Sequence, residues 1–204
     1  MVMEARIGEL TRKTRETTIH VTINLDGAGN HQVKTGNGFL DHMVRQLASH
    51  GLFDIELTAE GDIEVGSHHL VEDVAITLGL AFRKVLGEEP RGIRRMGDCF
   101  APLDETLAHV AVDISGRPYV VVDTALDPDT NVETLKGSQV KHFFESFALQ
   151  ARINLHAKVQ VGEDSHHKAE ALCKALARAL REALEPDPRA QGQVPSTNVP
   201  VDVR

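Results

Sequence analysis

The chain repeats itself, and that duplication constrains its fold more than any other feature. The segment "ETTIHVTINLDG" from Glu16 lines up without a gap on "ETLAHVAVDISG" from Glu105, keeping Glu, Thr, His, Val and Gly and every other apolar position. Each alternates apolar and polar residues before a glycine, the pattern of a half-buried strand that ends in a turn. Next, "FLDHMVRQLASHG" around His42 matches "QVKHFFESFALQA" around His142, both with apolar residues at helical spacing. The alternating stretches "LFDIELTAEGD" and "RINLHAKVQVGED" follow as strands. Last come "SHHLVEDVAI" from Ser67 and "DSHHKAEALC" from Asp164, each opening a long helix with Ser67 or Ser165 expected in the N-cap position.

Each half therefore reads as about three strands, a helix, a strand and a second helix. Such halves predict an α+β fold: two sheets with the helices packed between them or on one face, related by a pseudo-twofold axis. One domain is expected over 1–204, made of repeats at about 5–88 and 92–185. The hinge region "GEEPRG" around Pro90 separates them, and a Pro-rich tail occupies 186–204.

Composition removes several function classes. Of 204 residues, 41% are hydrophobic and 25% charged, enough to bury a sizeable core. No run approaches a membrane span and "MVMEARIGEL" lacks an apolar signal core, so a cytoplasmic location is expected. A net charge of -8 and a pI near 5.7 argue against a general nucleic-acid binder, because that surface repels phosphate backbones. Cys99 and Cys173 form no Cys-x-x-Cys pair and are expected as reduced thiols.

Eleven histidines stand beside one tyrosine and no tryptophan. A single helical histidine is most often a satisfied surface or core residue, but these recur in a set. Glu72 lies three residues after His69 and four after His68, so either histidine shares a helix face with it. Adjacent histidines project about 100° apart and suit two ions rather than one. His166, His167 and Glu170 repeat the cluster, while His42 and His142 come from the preceding helix of each half. The set supplies three nitrogens and one oxygen to each of two ions, with positions left for substrate and water. Imidazole and carboxylate without thiolate leave Mn, Fe, Co, Ni or Zn open and disfavour a closed structural zinc site. Nor is this His-Glu-x-x-His, whose glutamate sits between its histidines. Capping does not account for Glu72, since Leu70 holds the capping-box position after Ser67.

Where the repeat breaks, cations enter. Lys174 aligns with Ile76 and falls on the His167 and Glu170 face, where a positive charge beside a metal calls for an anion such as a substrate phosphate. Arg117 in "SGRP" and Arg95 in "RGIRRMGD" carry guanidinium groups suited to phosphate oxygens. Glu16 and Glu105 form a second carboxylate pair, each at the start of a strand, and position alone assigns them no role.

The segments "GFLDHM", "SHHLVEDVAI", "APLDETL", "SGRPY", "KHFFESFA", "DSHHKAEALCKALARAL" and "VPSTN" run in order from Arg6 to Asn198 and together closely resemble the imidazoleglycerol-phosphate dehydratases of histidine biosynthesis. The resemblance implies a dehydration of imidazoleglycerol phosphate to imidazole acetol phosphate on two Mn ions. It implies the ligands His42, His68, His69, Glu72, His142, His166, His167 and Glu170. The ring would pass through an imidazolate that expels the hydroxyl and gives a diazafulvene-like intermediate, with Glu16 at the substrate for proton transfer.

The same resemblance points to Arg95, Arg117, Lys174 and Ser196 for the phosphate. It also implies homo-oligomers, 24-subunit shells with sites at subunit contacts, so that ligands from the two halves meet across an interface rather than within one chain. The chain departs from the family tail at Asn198, where a phosphate-binding lysine is usual. Weaker phosphate binding there, or a substitute cation such as Arg204, is expected. A dinuclear metal-dependent phosphate-ester hydrolase is the rival enzyme. A metal-storage shell is the non-enzymatic alternative, but it leaves Lys174, Arg95 and Arg117 unexplained.

Overall fold

The structure is a computed structural model and describes residues 6–61, 66–87 and 90–190. The first half runs β1 (Ile7–Lys13), β2 (Thr17–Asn24), β3 (His31–Lys34), α1 (Gly38–Gly51), β4 (Asp54–Gly61) and α2 (His68–Leu86). The second runs β5 (Met96–Leu103), β6 (Thr106–Asp113), β7 (Tyr119–Asp123), α3 (Gly137–Ala151) written after a short hairpin β8 (Asn131–Val132) and β9 (Leu135–Lys136), then β10 (Asn154–Val161) and α4 (Ser165–Leu184). That hairpin is the one element without a counterpart among the described residues of the first half.

The two sheets share one topology. Their orders are β1-β2-β4-β3 and β5-β6-β10-β7, with only β3 and β7 parallel to their neighbours. Strands β2 and β6 show the same alternation of buried and half-buried positions, so Ile19, Val21 and Ile23 in one sheet and Ala108, Val110 and Val112 in the other face the core. One face of each sheet is buried and the other wet, as period-two patterning requires.

Helix α2 packs on β1 and β2, and α4 on β5 and β6, while α1 crosses α4 and α2 crosses α3. The helices thus lie between the sheets, and each first helix pairs with the second helix of the opposite half. This cross-pairing decides where the site forms. Close approach is helped by glycines at matching places: a Cβ on Gly8 would fall 2.4 Å from Val85 Cγ2, and one on Gly97 would fall 2.3 Å from the Ala179 carbonyl.

The helix ends show how the turns that carry the repeated histidines are fixed. Asn37 caps α1 by accepting from Leu40 N at 3.0 Å, and α1 and α3 both end in left-handed residues, Leu52 and Arg152, each at φ 56°. The expected N-cap position is occupied by Ser67 but not by Ser165, and that second expectation is corrected. Asp164 is the cap of α4, accepting from His167 N at 2.9 Å, and Ser165 is already helical. Ser67 precedes α2 but makes no side-chain cap bond; its hydroxyl instead accepts from Gln139 Nε2 at 3.0 Å. Because Gln139 Oε1 also accepts from Lys136 N at 2.8 Å, one side chain ties the start of α3 to the start of α2. Cys173 is buried, and its burial pushes the thiol pKa up, which keeps it protonated and inert. Among the described residues no helix is long and apolar enough to cross a membrane.

Candidate metal centre

Crossing α1 on α4 and α2 on α3 brings the repeated residues into two mirrored clusters. His42, His166 and Glu170 form one, and His68, Glu72 and His142 the other, with one candidate ligand atom of each residue within 4.8 Å of the others. Each cluster takes two residues from one half and one from the other. Candidate ligands from the two halves thus meet inside a single chain, three to a cluster.

Two bonds define the first cluster. Glu170 Oε2 faces His42 Nε2 at 2.8 Å and His166 Nε2 at 3.0 Å, while Oε1 accepts from Lys174 Nζ at 2.6 Å. Burial works against the Glu170 charge, but Lys174, His42 and His166 outweigh it and hold the carboxyl pKa down at about 2. The Lys174 ammonium accordingly meets an anion even without substrate. Gln46 Nε2 lies 3.4 Å from His42 Nε2, and Glu133, on the β8–β9 turn, sits 3.1 Å from His166 Nδ1. Glu133 on Nδ1 thus fixes the ring orientation that turns His166 Nε2 toward Glu170.

In the second cluster the imidazoles of His68 and His142 stack at 5.2 Å with an interplanar angle of 9°. His142 Nε2 is buried without a hydrogen-bond partner, 3.5 Å from Glu72 Oε1. A buried ring nitrogen without a partner is costly. A cation accepted by both atoms removes that cost, so this donor set fits a divalent ion.

His69 and His167 stand outside both clusters, as the 100° offset between neighbours requires. His69 Nδ1 lies 2.8 Å from Glu16 Oε2, and His167 Nδ1 lies 2.8 Å from Glu105 Oε2. The duplicated glutamates thus play one observable role, holding the Nδ1 side of an outward histidine. Glu105 is fixed further, since its Oε1 accepts from Glu163 N, Asp164 N and Thr106 Oγ1 at 3.1, 2.9 and 2.9 Å. The bond with His167 and those backbone donors hold the Glu105 carboxyl well below the usual range, and Glu105 in turn raises the His167 pKa.

The arginines lie elsewhere in the chain. Arg95, left-handed at φ 71°, pairs with both Asp113 oxygens at 2.6 and 3.0 Å, and its N–H donates to the Ala183 carbonyl. At 1.5 Å per helical residue, Ala183 is ~20 Å along α4 from Glu170. Arg117 is exposed on the same far edge, where its carbonyl accepts from Asn154 Nδ2 at 2.9 Å. Neither reaches the clusters of its own chain. Ser196, Asn198 and Arg204 lie outside the described residues.

Sequence reasoning passed over Gln139, Glu133 and the buried Asp73, which binds Arg12 and Thr17 beside Glu72. Only Asp73 left a signal, as an acid inside an apolar helical face.

The imidazoleglycerol-phosphate dehydratase family model matches residues 35–180, a span that includes every residue of both clusters. The chain belongs to the imidazoleglycerol-phosphate dehydratase family. Membership makes it an enzyme, a hydro-lyase of histidine biosynthesis. It is 50% identical over 195 residues to the imidazoleglycerol-phosphate dehydratase of Streptomyces griseus, covering 96% of this chain and 98% of that one. With the dehydratase of Dehalococcoides mccartyi it shares 51% over 195 residues, covering 96% and 97%. Solved dehydratase structures are similar in fold. That from Staphylococcus aureus has a TM-score of 0.78 at 33% identity, covering 88% of this chain and 99% of that one. That from Pyrococcus furiosus, in complex with (S)-C348, has a TM-score of 0.75 at 36% identity, covering 90% and 98%.

Proposed function

We propose that the protein dehydrates imidazoleglycerol phosphate to imidazole acetol phosphate at a site that holds two Mn ions. The observation that carries this reading is the partnerless His142 nitrogen facing Glu72, in a cluster mirrored by His42, His166 and Glu170. Two bound divalent ions would act as Lewis acids on the two nitrogens of a substrate imidazole, favouring loss of a proton and then of the hydroxyl.

The chain's own groups supply the rest. Within one chain three residues would hold each ion, and His69 and His167, held at Nδ1 by Glu16 and Glu105, would each supply a fourth ligand to a site of a neighbouring copy. Glu16, which holds the Nδ1 of His69, would be the carboxylate that takes the proton. Lys174 sits against Glu170 and is the cation offered to a phosphate, whereas Arg95, beside Ala183 and so ~20 Å along α4 from Glu170, and Arg117 serve the site of another subunit. Asn198 brings no charge to the tail, so phosphate binding rests on these cations and Ser196. Such division of one site among chains accords with a homo-oligomer, a 24-subunit shell, working in the cytoplasm.

The test is turnover of imidazoleglycerol phosphate by protein stripped with a chelator and then given Mn²⁺. Activity lost and regained, with no inorganic phosphate released, is the expected result. Full activity after stripping removes the reading, and phosphate release turns it into a hydrolase.

A further inference from the structure

Duplication made two ion sites, but later substitutions did not leave them alike. In α4 the turn after Glu170 carries Lys174 and the next carries Arg178; in α2 the matching positions are Ile76 and Leu80. We infer that the ion site at Glu170 binds a divalent cation more weakly than the site at Glu72, because Lys174 occupies the same carboxylate that the ion needs. The inference rests on the two-ion reading above.

Lys174 Nζ lies 2.6 Å from Glu170 Oε1, and the other oxygen of that carboxylate faces His42 and His166. Both side chains are mostly shielded, with exposures of 18% for Lys174 and 13% for Glu170. An incoming dication therefore meets a single positive charge one carboxylate away, with little water to screen the repulsion. Glu72 is more open and, among the described residues, has no lysine or arginine partner. One feature opposes this. Glu133 adds a carboxylate on the Glu170 side, through His166 Nδ1, but it is 58% exposed and acts from the far side of the ring. Solvent screens it more than Lys174, so the lysine decides the order.

Loading is then sequential: the Glu72 site fills first and the Glu170 site second. An anion that takes up the Lys174 charge relieves the repulsion, so phosphate binding and the second ion favour each other. The sites are thereby coupled through one side chain.

Full-length protein stripped of metal is titrated with Mn²⁺ alone, followed by calorimetry and by the electron paramagnetic resonance signal of free Mn²⁺, with sedimentation to match assembly states. The expected result is two classes of site differing by about ten-fold or more. Lys174→Met, which keeps length and removes charge, draws the weak class toward the tight one. Ile76→Lys, the reciprocal change on a different helix, weakens the tight class. One class in the wild type, unmoved by Lys174→Met, overturns the inference, as does weaker binding in Lys174→Met. No Mn²⁺ binding by the wild type removes the two-ion reading as well.

Discussion

Gly79 is where helix packing and the candidate metal site at Glu72 are joined. It lies in α2 at the crossing with α3, and a Cβ there would fall 2.5 Å from the Phe147 carbonyl oxygen, 2.9 Å from Gln150 Cβ and 3.0 Å from Ala151 N. Two of the three obstacles are backbone atoms, so α3 itself must shift to admit a methyl group. Overpacking of this kind costs about 1–3 kcal/mol, and the backbone contacts place Gly79→Ala at the upper end. Alanine recovers about 1 kcal/mol of helix propensity, leaving a net loss of about 2 kcal/mol. For a chain of this size that corresponds to a melting temperature lower by roughly 4–8 °C.

Ala177 holds the matching place in α4 and is fully buried, so Ala177→Gly is the reverse change and should cost about 2 kcal/mol, about half from helix propensity and half from the lost buried methyl. Calorimetric melts of metal-free protein give the stability term. Mn²⁺ titration gives the site term, because α2 bears His68 and Glu72 while α3 bears His142, and a wedge between them disturbs that cluster alone. A Gly79→Ala protein that melts at or above the wild type, as propensity by itself requires, refutes the steric reasoning.

Replacing Glu105 by Gln removes the charge that orients His167, and Mn²⁺ affinity at one of the two ions should fall roughly 10- to 100-fold; an unchanged calorimetric titration means His167 needs no such holder. The Glu170 pKa is depressed on folding, so its contribution to stability is complete above the unfolded value and is lost as pH falls from about 4.5 to about 2. In metal-free protein the difference in urea midpoint between wild type and Glu170→Gln should shrink over that window, and a constant difference contradicts the ion pairing. Mixing chains that carry Arg117→Met with chains that carry Glu170→Gln should restore part of the turnover each lacks alone; inactive hybrids mean each site is built from one chain.

Much of the architecture was legible because duplication writes each element twice. Period-two patterning in "ETTIHVTINLDG" and "ETLAHVAVDISG" specified β2 and β6, and the helical spacing around His42 and His142 specified α1 and α3. The donor types were legible as well, since the 100° offset between adjacent residues already separates His68 from His69. Helix starts were less so: Asp164 and Ser165 are both good caps, and their choice depends on whether the residue before the helix has extended backbone, which Asp164 has at ψ 130°.

The sequence by itself determined the two matching halves, the class of fold and the inventory of candidate nitrogen and oxygen donors, because these follow from local periodicity and residue chemistry. Only the tertiary structure decided which of these donors meet. The crossing of α1 on α4 and α2 on α3 places His42 beside Glu170 and His142 beside Glu72, and it leaves Arg95 at the far end of α4. Those pairings arise from long-range packing between helices of opposite halves, and nothing in the local spacing of either partner encodes them.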